Sequence, residues 1–287
     1  MFRKLFLVSR PLLWCIFLLV FLLGMAAGEA SVSLISVIQA VSLTVPLGLF
    51  CNGLNDVYDY STDRKNRNKG KLRGLPLNPE GGEAIKWASA VCCIIVLAVS
   101  LAAGNVANVV GVLSIIAIGY AYSVPLIRLK DRPPFDSISS GICFFFLPFL
   151  IGASYGNLAV AFQTPALLLT LVGMGMHSLA ALADYTADKE SGSKTIAVAF
   201  GPRAAAVFAA MPFFAGLSVA LLFPSLLCTQ CAVPIAYFIA SSVIGMFVLI
   251  KPNDMTGNLG LKLQYLTIFI AGPVYVLVNY QIFSFWL

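Results

Sequence analysis

The chain has 287 residues, of which 60% are hydrophobic and 10% are charged, and its formal net charge is +6. This composition excludes both an ordinary water-soluble domain and a disordered chain. In a chain this apolar, Lys and Arg report membrane topology before anything else, so the positive charge does not indicate nucleic-acid binding. We therefore expect an all-α, polytopic membrane protein.

Nine apolar stretches follow one another along the chain, and each is long enough, or nearly so, to cross a bilayer. They cover residues 11–28, 32–55, 84–103, 106–123, 136–155, 162–184, 203–223, 231–250 and 263–285. The first stretch is long for a signal peptide, so we expect it to be retained as a helix. No linker separates these stretches into units, and we expect one domain over residues 1–287.

The basic residues predict the orientation of these spans. With the N-terminus inside, all 18 Lys and Arg fall on the same side, which predicts a cytoplasmic N-terminus, an odd number of spans and an external C-terminus. Of the 12 Asp and Glu, only Glu29 falls on the other side. Acidic residues contribute little to orientation, so this second asymmetry indicates chemistry at the inner face. We expect a multi-pass protein of a bacterial or archaeal cell membrane.

The inner end of the second span carries the run NGLNDVYDYSTD. Three carboxylates and an amide share one helix stripe there: Asn52, Asp56, Asp59 and Asp63. Carboxylates this close repel one another, and Mg²⁺ is a suitable counter-ion because it prefers oxygen ligands. Arg64 begins a run of cations, and cations beside metal-binding carboxylates suit a diphosphate. A solvated loop would explain the cations but not the stripe.

Two further polar segments lie at the same face. In DYTADKESGSKT, Asp184 and Asp188 are spaced i,i+4 on one helix face, and Lys194 follows. In YSVPLIRLKDRPPFD, the polar candidates are Tyr122, Arg128 and Lys130. Taken alone, these two cations are explained equally well as topology anchors. Two acidic clusters at the same face favour phosphate binding.

His177 is the only histidine. It precedes Asp184 by seven residues and therefore lies on the same helix face, about 10 Å deeper in the membrane. An ionisable residue inside a span indicates function, although a neutral packing role explains it equally well. Cys228 and Cys231 form a CxxC on the expected outer side, where neither a second pair nor a histidine completes a zinc site. Chance spacing is the favoured interpretation over a disulfide.

These motifs resemble those of the UbiA superfamily of intramembrane prenyltransferases. NDVYDYSTD with Asn52 upstream is similar to its first aspartate-rich motif, and DYTAD followed by Gly192 and Thr195 is similar to its second. The order, the side and the nine spans agree, so the resemblance covers essentially the whole chain. It implies a helical bundle around a central cavity capped on the cytoplasmic side. It also implies two Mg²⁺ ions that bridge the aspartates and an isoprenyl diphosphate.

The resemblance assigns roles to the candidate residues. The expected catalytic Mg²⁺ ligands are Asp56, Asp59, Asp63, Asp184 and Asp188. Asn52 and Asn55 would orient these ligands or bind metal directly. The candidates for contacting the substrates are Arg64, Tyr122, Arg128, Lys130, Lys194 and His177. The metal and the cations would stabilise the leaving diphosphate, and a lipophilic acceptor would attack the allylic cation in an apolar pocket.

A finer resemblance concerns the acceptor. Ser9-Arg10-Pro11 with Trp14, and the segment YSVPLIRLKDRPPFDSIS, resemble the lycopene elongases, which add a five-carbon unit to each end of lycopene. Aromatic or quinone, chlorophyll-type and glycerol-phosphate acceptors are alternatives. A transporter is the alternative from another class, but its polar groups should lie near the bilayer midplane rather than at one face. A structural scaffold would leave both aspartate clusters unexplained. The acceptor, the prenyl chain length and the oligomeric state stay open.

Overall fold

The computed structural model describes residues 2–66, 69–70, 74–75, 77, 79–226 and 232–279. Within these ranges the regular structure is entirely helical, with no strand. The expected all-α class is therefore confirmed. Cys228, Cys231 and the residues after 279 lie outside the described ranges, so the structure does not address the CxxC.

Fifteen α-helices make up the described chain. The first seven are α1 (Phe2–Val8), α2 (Pro11–Ala27), α3 (Leu34–Ser42), α4 (Val45–Tyr58), α5 (Tyr60–Asp63), α6 (Pro79–Ala102) and α7 (Val106–Ser123). The remaining eight are α8 (Phe135–Gly141), α9 (Leu147–Ala153), α10 (Thr164–Ala183), α11 (Tyr185–Ser191), α12 (Ile196–Phe200), α13 (Pro202–Leu222), α14 (Ala232–Ile250) and α15 (Asp254–Asn279). A π-helical segment, Ile142–Phe146, joins α8 to α9.

Eight helical segments of the described chain are long and apolar enough to cross a membrane. The helix α2 is also apolar but has only 17 residues, so the count of nine spans stays a prediction. The last span was expected at 263–285, whereas α15 begins at Asp254. The earlier start brings the inner end of α15 to the polar face.

Two of the expected spans are interrupted. The second breaks at Leu43 and Thr44, between α3 and α4, and Pro46 follows in the first turn of α4, where its missing N–H is tolerated. The fifth consists of α8, the π-helical segment and α9, with Pro148 at the start of α9. Such local changes in winding are common at functional sites, and this one lies beside the cavity described below.

Glycines allow the helices of the bundle to approach closely. A Cβ on Gly152 of α9 would lie 2.0 Å from the Phe21 carbonyl oxygen of α2, and one on Gly24 would lie 2.1 Å from the Phe149 carbonyl oxygen. Small residues at such crossings are typical of membrane helices, where association depends on close packing. The glycines therefore bring the backbones of α2 and α9 into close contact.

Candidate active site

Both aspartate pairs are built on the same local turn. Asp59 ends α4 and precedes α5 with φ −96° and ψ 11°, and Asp184 ends α10 and precedes α11 with φ −107° and ψ 8°. This bridge region of backbone space is sparsely populated and is used by many active-site residues. In each unit a second aspartate follows four residues later, at Asp63 and Asp188. Two distant segments therefore present their carboxylates in the same way.

The two units lie next to each other at one end of the bundle. The Lys65 ammonium after α5 donates to the Glu190 carbonyl oxygen in α11, at 3.1 Å. Side chains of both units line the same cavity, which has a volume of about 490 Å³. The expectation that the two motifs meet across a cavity is therefore consistent with their positions.

Lysines and arginines surround the first aspartate cluster. Asp56 is fully buried and accepts hydrogen bonds from the Arg10 guanidinium, from Lys69 at 2.8 Å and from the Leu75 amide at 2.9 Å. Lys69 also lies 2.7 Å from Asp63. The repulsion that the sequence predicts among these carboxylates is therefore offset by cations of the chain itself.

Asp59 has the most cationic surroundings. Arg128 Nη2 lies 2.9 Å from one carboxylate oxygen and Lys130 Nζ lies 2.5 Å from the other. The Asn55 amide donates a further hydrogen bond at 2.8 Å. Burial alone would raise the pKa of Asp59, but the charges of Lys130 and Arg128 outweigh it and lower that pKa below its usual value.

Asp188 in the second cluster has different surroundings. Asp188 accepts a hydrogen bond from the Thr195 hydroxyl at 3.2 Å, and no Lys or Arg among the described residues forms an ion pair with it. Burial raises the pKa of Asp188 to about 7; Lys130 opposes this shift, and the neighbouring carboxylates of Asp184 and Asp59 add to it. Burial likewise raises the pKa of Asp63 to about 6, against the attraction of Lys69.

The cavity is charged at one end and apolar beyond it. Asp59, Asp63, Asp184, Asp188 and Lys130 lie at the charged end. The apolar part is lined from several helices, with contributions from Ile16, Ile118, Phe144, Phe145, Met176 and Leu261. A polar head group and a hydrocarbon tail could therefore be held in one continuous space.

Most of the predicted site residues line this cavity. Asn52, Asn55, Tyr122 and His177 do so in addition to the charged residues above. Asn52 also donates to the Ser9 and Gly48 carbonyl oxygens, at 3.2 and 3.0 Å, so its amide nitrogen holds α4 against the end of α1.

Four predicted residues are not among the side chains that line the cavity. Asp56 lies behind Arg10 and Lys69, and Arg128 contacts the cavity only through Asp59. Arg64 and Lys194 are exposed, and Lys194 donates its backbone amide to Asp131 at 3.2 Å.

Sequence reasoning missed three residues of the site. Arg10 and Lys69 line the cavity and pair with Asp56, although both were visible as cations at the expected inner face. Asp136 is fully buried beside His177, with its Oδ2 at 3.9 Å from the imidazole Nε2. The only available signal for Asp136 was the concentration of acidic residues on the inner side.

The donor set suits a hard divalent cation. Four carboxylates border one cavity mouth, and oxygen is the ligand that Mg²⁺ prefers. In the described residues, no three Asp, Glu, His or Cys side chains converge closely enough to hold a metal, and cations of the chain lie against oxygens of the first cluster. The residues fit a metal that shares these oxygens with the cations rather than a closed cage.

Comparison with known proteins agrees with this arrangement. The model of the UbiA prenyltransferase family matches residues 13–258. The chain belongs to the UbiA prenyltransferase family. It is therefore an enzyme that transfers prenyl groups, and the family resemblance deduced from the two aspartate motifs is confirmed.

Two curated relatives of this UbiA prenyltransferase are both lycopene elongase/hydratases. A lycopene elongase/hydratase from Corynebacterium glutamicum is 32% identical over 206 residues, which cover 71% of this chain and 71% of that protein. A lycopene elongase/hydratase from Halobacterium salinarum is 31% identical over 219 residues, which cover 73% of this chain and 76% of that protein.

Solved structures of UbiA homologues share the fold. A homologue from Archaeoglobus fulgidus, solved bound to DMAPP and Mg²⁺, has a TM-score of 0.75 at 23% identity and covers 97% of this chain and 99% of its own. A digeranylgeranylglyceryl phosphate synthase has a TM-score of 0.68 at 18% identity, covering 98% and 99%. These likenesses establish an integral membrane bundle of the UbiA type.

Proposed function

We propose that this enzyme transfers an isoprenyl group from an allylic diphosphate to a carotenoid acceptor such as lycopene. The observation that carries the proposal is the cavity, because it joins a charged mouth to an apolar interior. The lycopene elongase/hydratase relatives support a carotenoid as the acceptor. The acceptor would occupy the apolar part and the diphosphate the charged part.

The aspartates would hold two Mg²⁺ ions together with the diphosphate. The fold neighbour solved with DMAPP and Mg²⁺ supports this use of the charged mouth. Bound Mg²⁺ supplies neutralisation of the charge that develops on the leaving diphosphate. Asp59, Asp63, Asp184 and Asp188 face the mouth and are the direct ligands in this proposal. Asp56 would not bind the metal directly but would hold the Arg10 and Lys69 side chains at the cavity wall through its ion pairs with them.

The cations would bind the diphosphate directly. Lys130 lies at the mouth against Asp59, and its charge also acts on Asp188, so it serves both aspartate clusters. Arg128 would steady Asp59 and join the phosphate oxygens when the diphosphate arrives. Arg64 and Lys194 are exposed and would contribute at the outer edge of the mouth.

The apolar part of the cavity would protect the allylic cation. Leu, Ile and Met side chains exclude water, which would otherwise capture the cation as an alcohol. The rings of Tyr122, Phe144 and Phe145 line the same space, and aromatic faces attract cations. These residues therefore favour attack by the double bond of the acceptor over attack by water.

Expression in a lycopene-producing host tests the proposal. Lycopene should be converted into products heavier by one and two five-carbon units, as measured by mass spectrometry of the pigments. The Asp59→Ala variant serves as the control and should leave lycopene unchanged. Unchanged lycopene with the wild-type chain, together with prenylation of a quinone, a phenol or a glycerol phosphate, would assign the enzyme to another acceptor class.

We also propose nine spans with a cytoplasmic N-terminus and an external C-terminus. The support is that all 18 Lys and Arg fall on one side of that arrangement. A reporter fused after Leu287 should be external, and one inserted in residues 66–80 should be cytoplasmic. A cytoplasmic reporter at Leu287 would contradict the count of nine.

A further inference from the structure

His177 has an unusual position in the cavity wall. It lies on α10 seven residues before Asp184, which places it about 10 Å beyond the carboxylates. Its side chain is 15% exposed and lines the cavity. Its Nε2 is buried and has no hydrogen-bond partner among the described residues. Burying a polar atom without a partner costs free energy, so a packing role alone explains this position poorly.

Two neighbours fix the environment of this imidazole. Asp136 Oδ2 lies 3.9 Å from Nε2, and the Asp136 carboxylate is itself held by the backbone amides of Ser137 and Ile196, each at 2.7 Å. The Tyr122 ring meets the imidazole edge to face, with centroids 6.1 Å apart. The carboxylate therefore cannot turn away, and it is close enough to stabilise a protonated histidine.

We propose that the imidazole of His177, through the part of the ring that lines the cavity, is the base that accepts the proton released at the end of prenyl transfer, and that Asp136 beside the buried Nε2 stabilises the resulting imidazolium. This inference rests on the proposed function, because it concerns the fate of the acceptor. His177 touches the acceptor in this proposal and is a catalytic residue. Asp136 acts through the imidazole and is a positioning residue.

The proton has a defined origin in this reaction. The C–O bond of the allylic diphosphate breaks, and pyrophosphate leaves with the electron pair. An acceptor double bond supplies the pair for the new C–C bond, which leaves a cation on the neighbouring acceptor carbon. Either an adjacent C–H bond gives its proton to the imidazole and its electron pair to a new double bond, or water adds through oxygen and gives its proton to the imidazole. Both routes require one base.

The location of His177 distinguishes it from the other groups of the cavity. The carboxylates lie at the mouth, where the diphosphate would bind. Beyond them the lining groups that carry a proton are the hydroxyls of Tyr122, Tyr265, Ser139 and Ser140 and the thiols of Cys51 and Cys143. Phenols, alcohols and thiols ordinarily keep their protons at neutral pH. Among the described lining residues, His177 is the only group at this depth that ordinarily accepts a proton near pH 7.

The test compares His177→Gln with Ser178→Ala. Glutamine keeps a hydrogen-bonding side chain of similar reach but cannot accept the proton. Ser178 is the matched control because its hydroxyl joins α10 to Ser137 of α8, at 3.2 Å, without lining the cavity. Purified enzyme in liposomes is given Mg²⁺, DMAPP and lycopene. Released pyrophosphate and prenylated product are both measured, and mass spectrometry separates the product formed by proton loss from the product formed by addition of water.

His177→Gln should lower product formation by about 10²-fold or more, as expected for loss of a general base. Pyrophosphate release should fall less, because ionisation depends on the aspartates and Mg²⁺, so the ratio of pyrophosphate to product should rise about tenfold or more. Ser178→Ala should keep the wild-type ratio. Should His177→Gln not fold, His177→Ala assayed with added imidazole replaces it, and imidazole should restore the ratio.

If folded His177→Gln keeps the wild-type ratio of pyrophosphate to product, the departing diphosphate accepts the proton and the inference is overturned. An equal rise in Ser178→Ala would reduce the effect to packing between α8 and α10 and would overturn it as well. Absence of pyrophosphate release from the wild-type enzyme would contradict the proposed function and the inference together.

Discussion

The two aspartate units have nearly the same backbone, but Asp59 in the first and Asp188 in the second have different electrostatic surroundings. Asp59 and Asp184 end their spans with φ and ψ values that agree within about 11°. Yet Arg128 and Lys130 lie against Asp59, whereas Asp188 in the second unit receives a hydroxyl hydrogen bond from Thr195. The pKa of Asp59 is correspondingly lowered by these cations against the effect of burial, while burial raises that of Asp188 to about 7.

This difference separates two tasks of one site. In the first unit, cations of the chain lie against Asp56, Asp59 and Asp63. In the second unit, Asp188 is buried and forms no ion pair among the described residues, which is unfavourable until a cation binds. Groups with such perturbed ionisation concentrate at functional sites. In the proposed function, Asp188 of the second unit would attract an incoming metal, and the cations beside Asp59 would meet the diphosphate.

The largest expected effect is the loss of turnover when an aspartate of either unit is replaced. Such a loss from both units would show that they serve one site. Asp59→Ala and Asp184→Ala should each lower Mg²⁺-dependent pyrophosphate release by about 10³-fold, because several kcal/mol of transition-state stabilisation are lost. The double variant should be little slower than the slower single, since residues that act as a unit are not additive. Near-normal turnover in folded Asp184→Ala would mean that the units act separately.

The next effect concerns stability without metal and should differ in sign between the units. Asp59→Asn removes the negative charge that Arg128 and Lys130 share and should cost about 3 kcal/mol. Asp188→Asn removes a buried charge without an ion pair and should leave the unfolding temperature unchanged or higher. Thermal unfolding in detergent with EDTA measures both.

Glu83→Gln provides the control for this comparison. It breaks an exposed ion pair with Lys86, whose atoms lie 3.3 Å apart, and should have no measurable effect on unfolding. Equal destabilisation by Asp59→Asn and Asp188→Asn would remove the electrostatic distinction between the units.

A third effect concerns stabilisation by ligands. Mg²⁺ with an unreactive diphosphate should stabilise the wild-type enzyme by about 2.7 kcal/mol at a hundred times the dissociation constant. Removing Mg²⁺ with EDTA should reverse the shift and abolish turnover. Asp188→Asn should lose most of the shift, and a full shift in that variant would exclude the second unit from the metal site.

The smallest effect sharpens the comparison at Asp188 itself. Thr195→Val removes the hydroxyl that donates to this carboxylate and should cost about 1 kcal/mol, hence less than tenfold in turnover. Thr195→Ser keeps a hydroxyl and should behave as the wild type. A loss as large as that of Asp184→Ala would give Thr195 a direct part in binding.

Some features of this enzyme follow from local sequence alone. The apolar runs identify the membrane helices because only a helix satisfies its backbone inside a bilayer. The i,i+4 spacing of Asp59 with Asp63 and of Asp184 with Asp188 places each pair on one helix face, and the structure keeps that spacing across the break that follows the span. Neither conclusion needs any knowledge of a distant part of the chain.

Other features were decided by tertiary packing. Arg10 and Asp56 are 46 residues apart in the chain, and Lys130 and Asp59 are 71 apart, so nothing local indicates that they pair. Likewise Asp136 accepts a hydrogen bond from the backbone amide of Ile196, 60 residues away, and lies beside His177, 41 residues away. The order of apolar and polar residues along the chain determines that one face of the bundle is charged. The crossing of the helices determines which charged side chains form pairs, because Coulomb interactions depend on distance in space.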